Sequence, residues 1–404
     1  MSGGELPGDG SLGGSEPGGC DDMELPPVAG AGPSAERART PQCRGSYTGG
    51  PERAGPGTHR PTPRSGRTDD GGEPRRAARN VRRMPLSLGA HVGQQNLEMS
   101  ALRAVWRRLD DAGVDWISAW DHFYEAPPAG GTQPHFEAIA TLGALCAETR
   151  QARIGCLVFY VGYRNPAQLA KAAVTLDHIS GGRFELGLGA GWHELEAISY
   201  GYEFPSLGTR FDMLEEAFPL IRSLLTEPRT TFEGRFFRTV DASCLPPPVG
   251  GRRLPMWLGG VGPRRTPELA AAFADAWNAA YVSAEQLRAL NDTIDRCCEA
   301  RDRDPATLER SVNLVFMLSA DAAAAARADA VIEAQWGEQA PRIRAGALIG
   351  TPDQAIDQIA RYVAAGAQGV NIALRAPWDQ EALDIYLDRV IPELRKEFGR
   401  PLSV

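Results

Sequence analysis

Residues 182–194 read Gly182-Arg183-Phe184-Glu185-Leu186-Gly187-Leu188-Gly189-Ala190-Gly191-Trp192-His193-Glu194. The apolar run 184–188 has the length of a buried strand and ends in glycines at every second position. Glycine at that spacing admits positive φ and lets a flat or anionic ligand approach the main chain. A buried strand that ends this way within a series of strands and helices puts a binding loop at the carboxyl edge of a parallel sheet. The same glycines also suit tight strand packing, and this stretch alone leaves both uses open.

Outward from it the pattern alternates. Upstream, strands are predicted at 86–92, 115–119 and 152–159, each followed by a helical pattern, at 99–112, 135–148 and 166–179. Downstream, strands fall at 255–259, 276–280, 312–318 and 369–374, with helices at 210–225, 266–274, 284–301, 320–336, 352–365 and 379–397. Eight strands alternating with helices fit a (β/α)8 barrel; a doubly wound open sheet shares the alternation and is the competing architecture. Two connections are long: 123–134, rich in Pro and Gly, and 230–253, which contains a hairpin-like Thr230-Thr231-Phe232-Glu233-Gly234-Arg235-Phe236-Phe237. Long connections in compact domains are commonly lids or binding loops.

Composition separates residues 1–83 from 84–404. The first segment holds 18 Gly and 11 Pro, no Phe, Trp or Ile, and Tyr47 as its sole aromatic. So little apolar surface does not offset the entropy of ordering, so a disordered Gly/Pro/Arg-rich leader is expected, with Met84 the expected natural start. Its 12 Arg have no aromatic interleaving, which argues against a stacking reader of nucleic acid, and it lacks the apolar run of a signal peptide. Residues 84–404 carry a net charge of −9, which disfavours nucleic acid as a partner. No run of about 18 apolar residues is present to cross a membrane. The seven cysteines show no CxxC spacing, and no cluster of metal ligands appears; reduced thiols in a cytoplasmic, homodimeric protein are expected.

In a barrel, chemistry belongs at the carboxyl ends of strands. After the second strand comes Trp120-Asp121-His122-Phe123, where His122 can exchange protons near neutral pH and Asp121 can cap a turn or hold a cofactor amide. After the third comes Tyr160-Val161-Gly162-Tyr163-Arg164-Asn165-Pro166, with Pro166 suited to a helix start and Arg164 to an anion or a strand end. After the fourth, Ala190 and Gly191 offer small side chains and exposed amides, and Trp192 and His193 can wall a flat ring. After the fifth, Gly259-Gly260-Val261-Gly262-Pro263-Arg264-Arg265-Thr266 leads into a helix, a suitable arrangement for phosphate. It matches neither a dinucleotide fingerprint nor a Walker loop.

As an ordered set, Trp120-Asp121-His122-Phe123, Tyr163-Arg164-Asn165-Pro166, Ser180-Gly181-Gly182-Arg183 through Trp192, Leu258-Gly259-Gly260 with Arg264-Arg265-Thr266, and Ala274-Asp275-Ala276-Trp277-Asn278 resemble the luciferase-like monooxygenase superfamily. The resemblance is to its branch that uses the deazaflavin coenzyme F420, and covers 84 to about 398. It implies a (β/α)8 barrel of the bacterial luciferase-like type with the deazaflavin across its carboxyl face. It also implies a bulge with a non-prolyl cis peptide backing the ring, for which Leu157-Val158 is the candidate. Asp121, His122, Tyr160, Ala190, Gly191 and Trp192 would then border the ring, and Gly259, Gly260 and Arg264 would hold the ribityl phosphate. The expected activity is hydride transfer between deazaflavin carbon 5 and a small organic substrate, with His122 and then His193 as catalytic residues.

Two other functions share the fold: a monooxygenase using reduced FMN and oxygen, and a barrel that binds cofactor without catalysis. An anion-binding surface at Arg164 or Arg264, suited to a polyglutamate tail, would favour the deazaflavin. The chain departs from the sugar-phosphate dehydrogenases of the superfamily at Trp192, where they carry a glutamate; Glu194 and His193 lie near enough to substitute.

Overall fold

The computed structural model describes residues 85–125 and 130–401; the leader 1–83 and the expected start at Met84 lie outside the described residues. Along the chain, β1 (Ser87–Val92) leads to α1 (Met99–Asp111) and β2 (Trp116–Ala119) to α2 (Ala138–Glu148). Next, β3 (Arg153–Cys156) and its offset continuation β4 (Phe159–Tyr160) lead to α3 (Pro166–Ser180). After β5 (Phe184–Gly189) come the short α4 (Glu194–Ser199), the long α5 (Leu207–Thr226) and a hairpin of β6 (Thr230–Glu233) and β7 (Arg238–Ala242). Then follow β8 (Met256–Gly259), α6 (Arg265–Phe273), β9 (Ala276–Ala280), α7 (Ala284–Glu299), β10 (Glu309–Leu318), α8 (Ala322–Trp336) and α9 (Ala340–Ala345). The last elements are β11 (Ala347–Gly350), α10 (Pro352–Ala364), β12 (Gly369–Leu374), α11 (Gln380–Ile385) and α12 (Ile391–Phe398).

The parallel ladder runs β1-β2-β3-β5-β8-β9-β10-β12, and β12 pairs back onto β1, so the sheet closes as a (β/α)8 barrel. That excludes the open sheet. Strands β1, β5 and β12 are buried along their whole length, as expected for strands covered by helices outside and packed side chains inside. Helix α1 turns an apolar stripe to the barrel: Leu102, Val105, Trp106 and Leu109, spaced for one face. Caps mark the ends: Asn165 accepts from the Ala167 N–H with Pro166 in the first turn of α3, and Gly181 closes that helix at φ 67°. Reciprocal capping boxes open α7 (Ser283 with Gln286) and α10 (Thr351 with Gln354). Inside the barrel, Asn278 and Asn371 each donate to Asn313 Oδ1, and Arg153 pairs with Glu185 and Glu309.

The strand read at 152–159 breaks at Leu157-Val158, the cis peptide that the resemblance implied, and β4 resumes in pairing with the end of β5. One element differs from the sequence reading. The helix expected at 379–397 is interrupted by a π-turn at Tyr386–Val390. Pro392 has no N–H to donate into the preceding turn, and the backbone there adopts the wider bonding pattern. The strand β11 and the short helices α4 and α9 carry too few residues for a periodic signal.

Candidate active site

The strand-end segments singled out above converge on the carboxyl mouth of the barrel. The Val158 side chain lies over the glycines of β5 and β8. A Cβ on Gly189 would fall 2.4 Å from Val158 Cγ2, and one on Gly259 would fall 2.6 Å from Val158 Cγ1. A Cβ on Gly187 would strike the Cys156 carbonyl oxygen at 2.0 Å. Gly191, at φ 68°, makes room for the Tyr160 ring, 2.6 Å from where a Cβ would stand. The glycine spacing of the strand therefore accommodates the protein's own bulge after β3.

Asp121 is buried, and both its oxygens are engaged. Oδ1 and Oδ2 accept from Arg164 Nη1 at 2.8 and 2.6 Å, and Oδ2 also accepts from the Tyr160 N–H at 3.2 Å. Burial raises the Asp121 carboxyl pKa, and the guanidinium of Arg164 opposes that rise. Arg164 also donates to Glu137 at 2.7 Å, so it serves two carboxylates and is not a free anion site. This pair ties the loop after β2 to the β4 backbone.

The imidazole of His122 is held by a residue the motifs did not single out. Glu196, on α4 with a side chain 1% exposed, accepts from His122 Nδ1 at 2.6 Å. Its carboxylate also accepts from the Phe123 and Tyr124 N–H groups at 3.0 and 3.1 Å and from the Tyr163 hydroxyl at 2.9 Å. Burial alone would raise the Glu196 pKa; His122, the backbone N–H and the tyrosine together hold it below the usual range. With the proton on Nδ1 facing a carboxylate, His122 keeps Nε2 for proton exchange. Glu194, the neighbour proposed as a substitute acid, is exposed on the opposite side of α4.

His193 caps α4, its Nδ1 accepting from the Glu196 N–H at 3.4 Å. Its Nε2 is buried without a partner, and burial lowers its pKa, so it is a neutral imidazole with an unsatisfied N–H. The Tyr160 hydroxyl is a second unpartnered buried group. Trp192 stands edge-on to His122 at 5.2 Å and over His193 at 4.8 Å, with its outer face open, 60% exposed. The carbonyl of Ala190 accepts from Arg210 Nε at 3.0 Å. His91 is buried and His135 partly buried, with pKa values lowered by burial to about 3 and about 4, and both are neutral.

Across the mouth, the Gly260 N–H donates to the Asn278 carbonyl at 3.2 Å, leaving the donors further along the turn. Helix α6 begins at Arg265 with no side-chain cap, so its first N–H groups are open to an anion. Arg265 is engaged by Asp212 and Glu215, whereas Arg264 is exposed and makes no ion pair among the described residues. An uncapped helix start, an unengaged arginine and unpartnered polar atoms around the Val158 bulge fit a flat ring carrying an anionic tail.

A family model described as luciferase-like monooxygenase matches residues 84–369. An F420-dependent glucose-6-phosphate dehydrogenase of Microbacterium testaceum is 27% identical, over 78% of this chain and 99% of the relative. One of Nocardia farcinica is 29% identical, over 77% and 98%. Among solved structures, an F420-dependent secondary alcohol dehydrogenase in complex with an F420-acetone adduct superposes with a TM-score of 0.68 at 21% identity, over 77% of this chain and all of that one. A long-chain alkane monooxygenase superposes at 0.66 and 14% identity, over 79% of this chain and 93% of that one. At those identities the structural likeness bears on the fold.

Proposed function

Since the chain belongs to the luciferase-like monooxygenase family, we propose that it is a coenzyme F420-dependent oxidoreductase acting on a small organic alcohol or its carbonyl counterpart. The observation that carries this is the His122–Glu196 couple at the barrel mouth, with one imidazole nitrogen left for proton exchange. The family relatives named for F420 support the cofactor, as does the uncapped start of α6 beside Arg264.

In this reading Leu157, Val158, Tyr160, Ala190, Gly191 and Trp192 line the ring site, while Gly259, Gly260 and Arg264 border the phosphate. When bound, the deazaflavin supplies a hydride acceptor or donor at carbon 5. In the oxidative direction His122 Nε2 takes the proton from the substrate hydroxyl, and in the reductive direction it returns it. Glu196 fixes the ring tautomer and stabilises the imidazolium formed. Neutral His193 donates from Nε2 to an oxygen in the site. Asp121 acts through Arg164 and the Tyr160 backbone, as a positioning residue. Trp192 contributes no acid, so chemistry that needs a carboxylate at that position is disfavoured.

We further infer a homodimer in the cytoplasm. The exposed apolar residues Leu195, Ile198 and Tyr200 around α4 support the first, and free thiols at Cys146, Cys156, Cys244, Cys297 and Cys298 support the second. Among the described residues no helix is long and apolar enough to cross a membrane.

The test is turnover with F420 and a panel of small alcohols and carbonyl compounds, with and without dissolved oxygen. The proposal expects F420-dependent turnover independent of oxygen. Oxygen-consuming turnover with reduced FMN would replace it with the monooxygenase reading, and binding without turnover across the panel would favour a cofactor-binding barrel.

A further inference from the structure

Directly after β12, on the side of the barrel next to β1 and away from the Gly259-Gly260 turn, Arg375 enters the mouth. Its guanidinium carbon lies over three aromatic rings: Trp336 at 4.9 Å, Tyr281 at 5.1 Å and Trp120 at 5.6 Å. Nη2 donates to the Tyr281 hydroxyl at 2.5 Å, and Nε is buried with no partner. Among the described residues no carboxylate pairs with it. Most other half-buried arginines here, such as Arg153, Arg164 and Arg252, do have one. Three ring faces attract a cation, but a half-buried guanidinium with an unsatisfied N–H remains short of a counter-charge.

The same Trp120 whose face meets Arg375 stands edge-on to His122 at 6.4 Å. One indole thus separates the free cation from the proton-transfer group. Two neighbouring histidines add no charge: His91, on the adjacent strand β1, is held neutral by its burial and by that guanidinium, and His135 is neutral as well. The site offers one positive charge, a planar fork and aromatic walls.

We propose that Arg375 receives the carboxylate of the substrate, so that the molecule turned over is a monocarboxylate bearing a hydroxyl or carbonyl carbon directed at His122. This rests on the oxidoreductase reading above for the reaction, while the anion site itself is independent of it. A planar carboxylate takes two parallel N–H bonds from such a fork. A phosphate dianion would carry one charge more than the site neutralises, which separates this chain's substrate from a sugar phosphate.

The test is a titration of the full chain followed by tryptophan fluorescence, since Trp120 and Trp336 lie on the guanidinium, using benzoate, benzamide and inorganic phosphate as probes. Saturable benzoate binding about 10–100-fold tighter than benzamide is expected, as a charge-assisted bond gives. Arg375→Gln should abolish that preference, and Arg375→Lys, which keeps the charge without the fork, should retain part of it. F420 affinity should stay within about twofold in both variants, at less than 0.5 kcal/mol. Benzamide binding as well as benzoate, unchanged benzoate binding in Arg375→Gln, or phosphate binding as tightly as benzoate would each overturn the proposal. A matching loss of F420 affinity would also overturn it, by placing Arg375 on the cofactor. Failure of wild-type protein to bind F420, with the benzoate preference intact, would count against the oxidoreductase reading alone.

Discussion

Replacing Gly189 by Ala adds one methyl group where the chain has left space for Val158. The backbone there is accessible to alanine, because Gly189 is not among the positive-φ residues. The whole effect is therefore steric: the new Cβ would lie 2.4 Å from Val158 Cγ2, well inside contact. Overpacking of this kind costs about 1–3 kcal/mol. Val158→Ala removes both Cγ atoms and on its own costs about 1–3 kcal/mol through lost burial. In the double variant the closest atom to the new methyl is Val158 Cβ, 3.5 Å away, an ordinary contact. The double variant should therefore be no less stable than Val158→Ala, with a coupling energy of about 1–3 kcal/mol opposing additivity. Gly259→Ala, 2.6 Å from Cγ1, should behave in the same way. Urea unfolding midpoints of the four proteins in each cycle measure this. Penalties that add to within about 0.5 kcal/mol would show that Val158 does not set the glycine spacing.

Glu196→Gln should lower kcat about 10²-fold or more while leaving F420 affinity nearly unchanged, because His122 loses the carboxylate that stabilises its protonated form. Stability should fall with acid in a defined window. His91 and His135 have folded pKa values of about 3 and about 4 against an unfolded value near 6.5, so the unfolded chain binds more protons below pH 6.5. Going from pH 7.5 to pH 5 should cost about 2 kcal/mol per histidine, and His91→Asn, which can keep a bond to Ser118, should flatten the dependence by about that amount. A dependence equally steep in the variant would contradict the buried neutral assignment. Arg164→Ala should destabilise the barrel by about 3–5 kcal/mol by leaving Asp121 buried and unpaired, read as a lower urea midpoint; a loss confined to cofactor affinity would instead make Arg164 an anion ligand.

The barrel was legible because its signals are long and periodic: eight apolar runs, each followed by an amphipathic segment, with Asn165-Pro166 and Gly181 marking helix ends. The break at Leu157-Val158 was legible only through the family resemblance, and it appears where expected. The purpose of the glycines was not, since a glycine reads alike whether it admits a ligand or a neighbouring valine. Arg164 looked free because ion pairing with Asp121, distant by 43 residues, leaves no local trace. Glu196 escaped notice because α4 is six residues long, although its place three residues after the capping His193 is a capping-type spacing. Arg375 follows a strand with no motif around it, and only closure of the barrel brings it beside Trp120.

The central claim is that this mouth holds a deazaflavin, with His122 positioned beside it by Glu196. Fluorescence titration of the full chain with F420 and with FMN addresses it most directly. Saturable F420 binding at least about tenfold tighter than FMN, a difference of about 1.4 kcal/mol, is the predicted result. Tighter binding of FMN would contradict it.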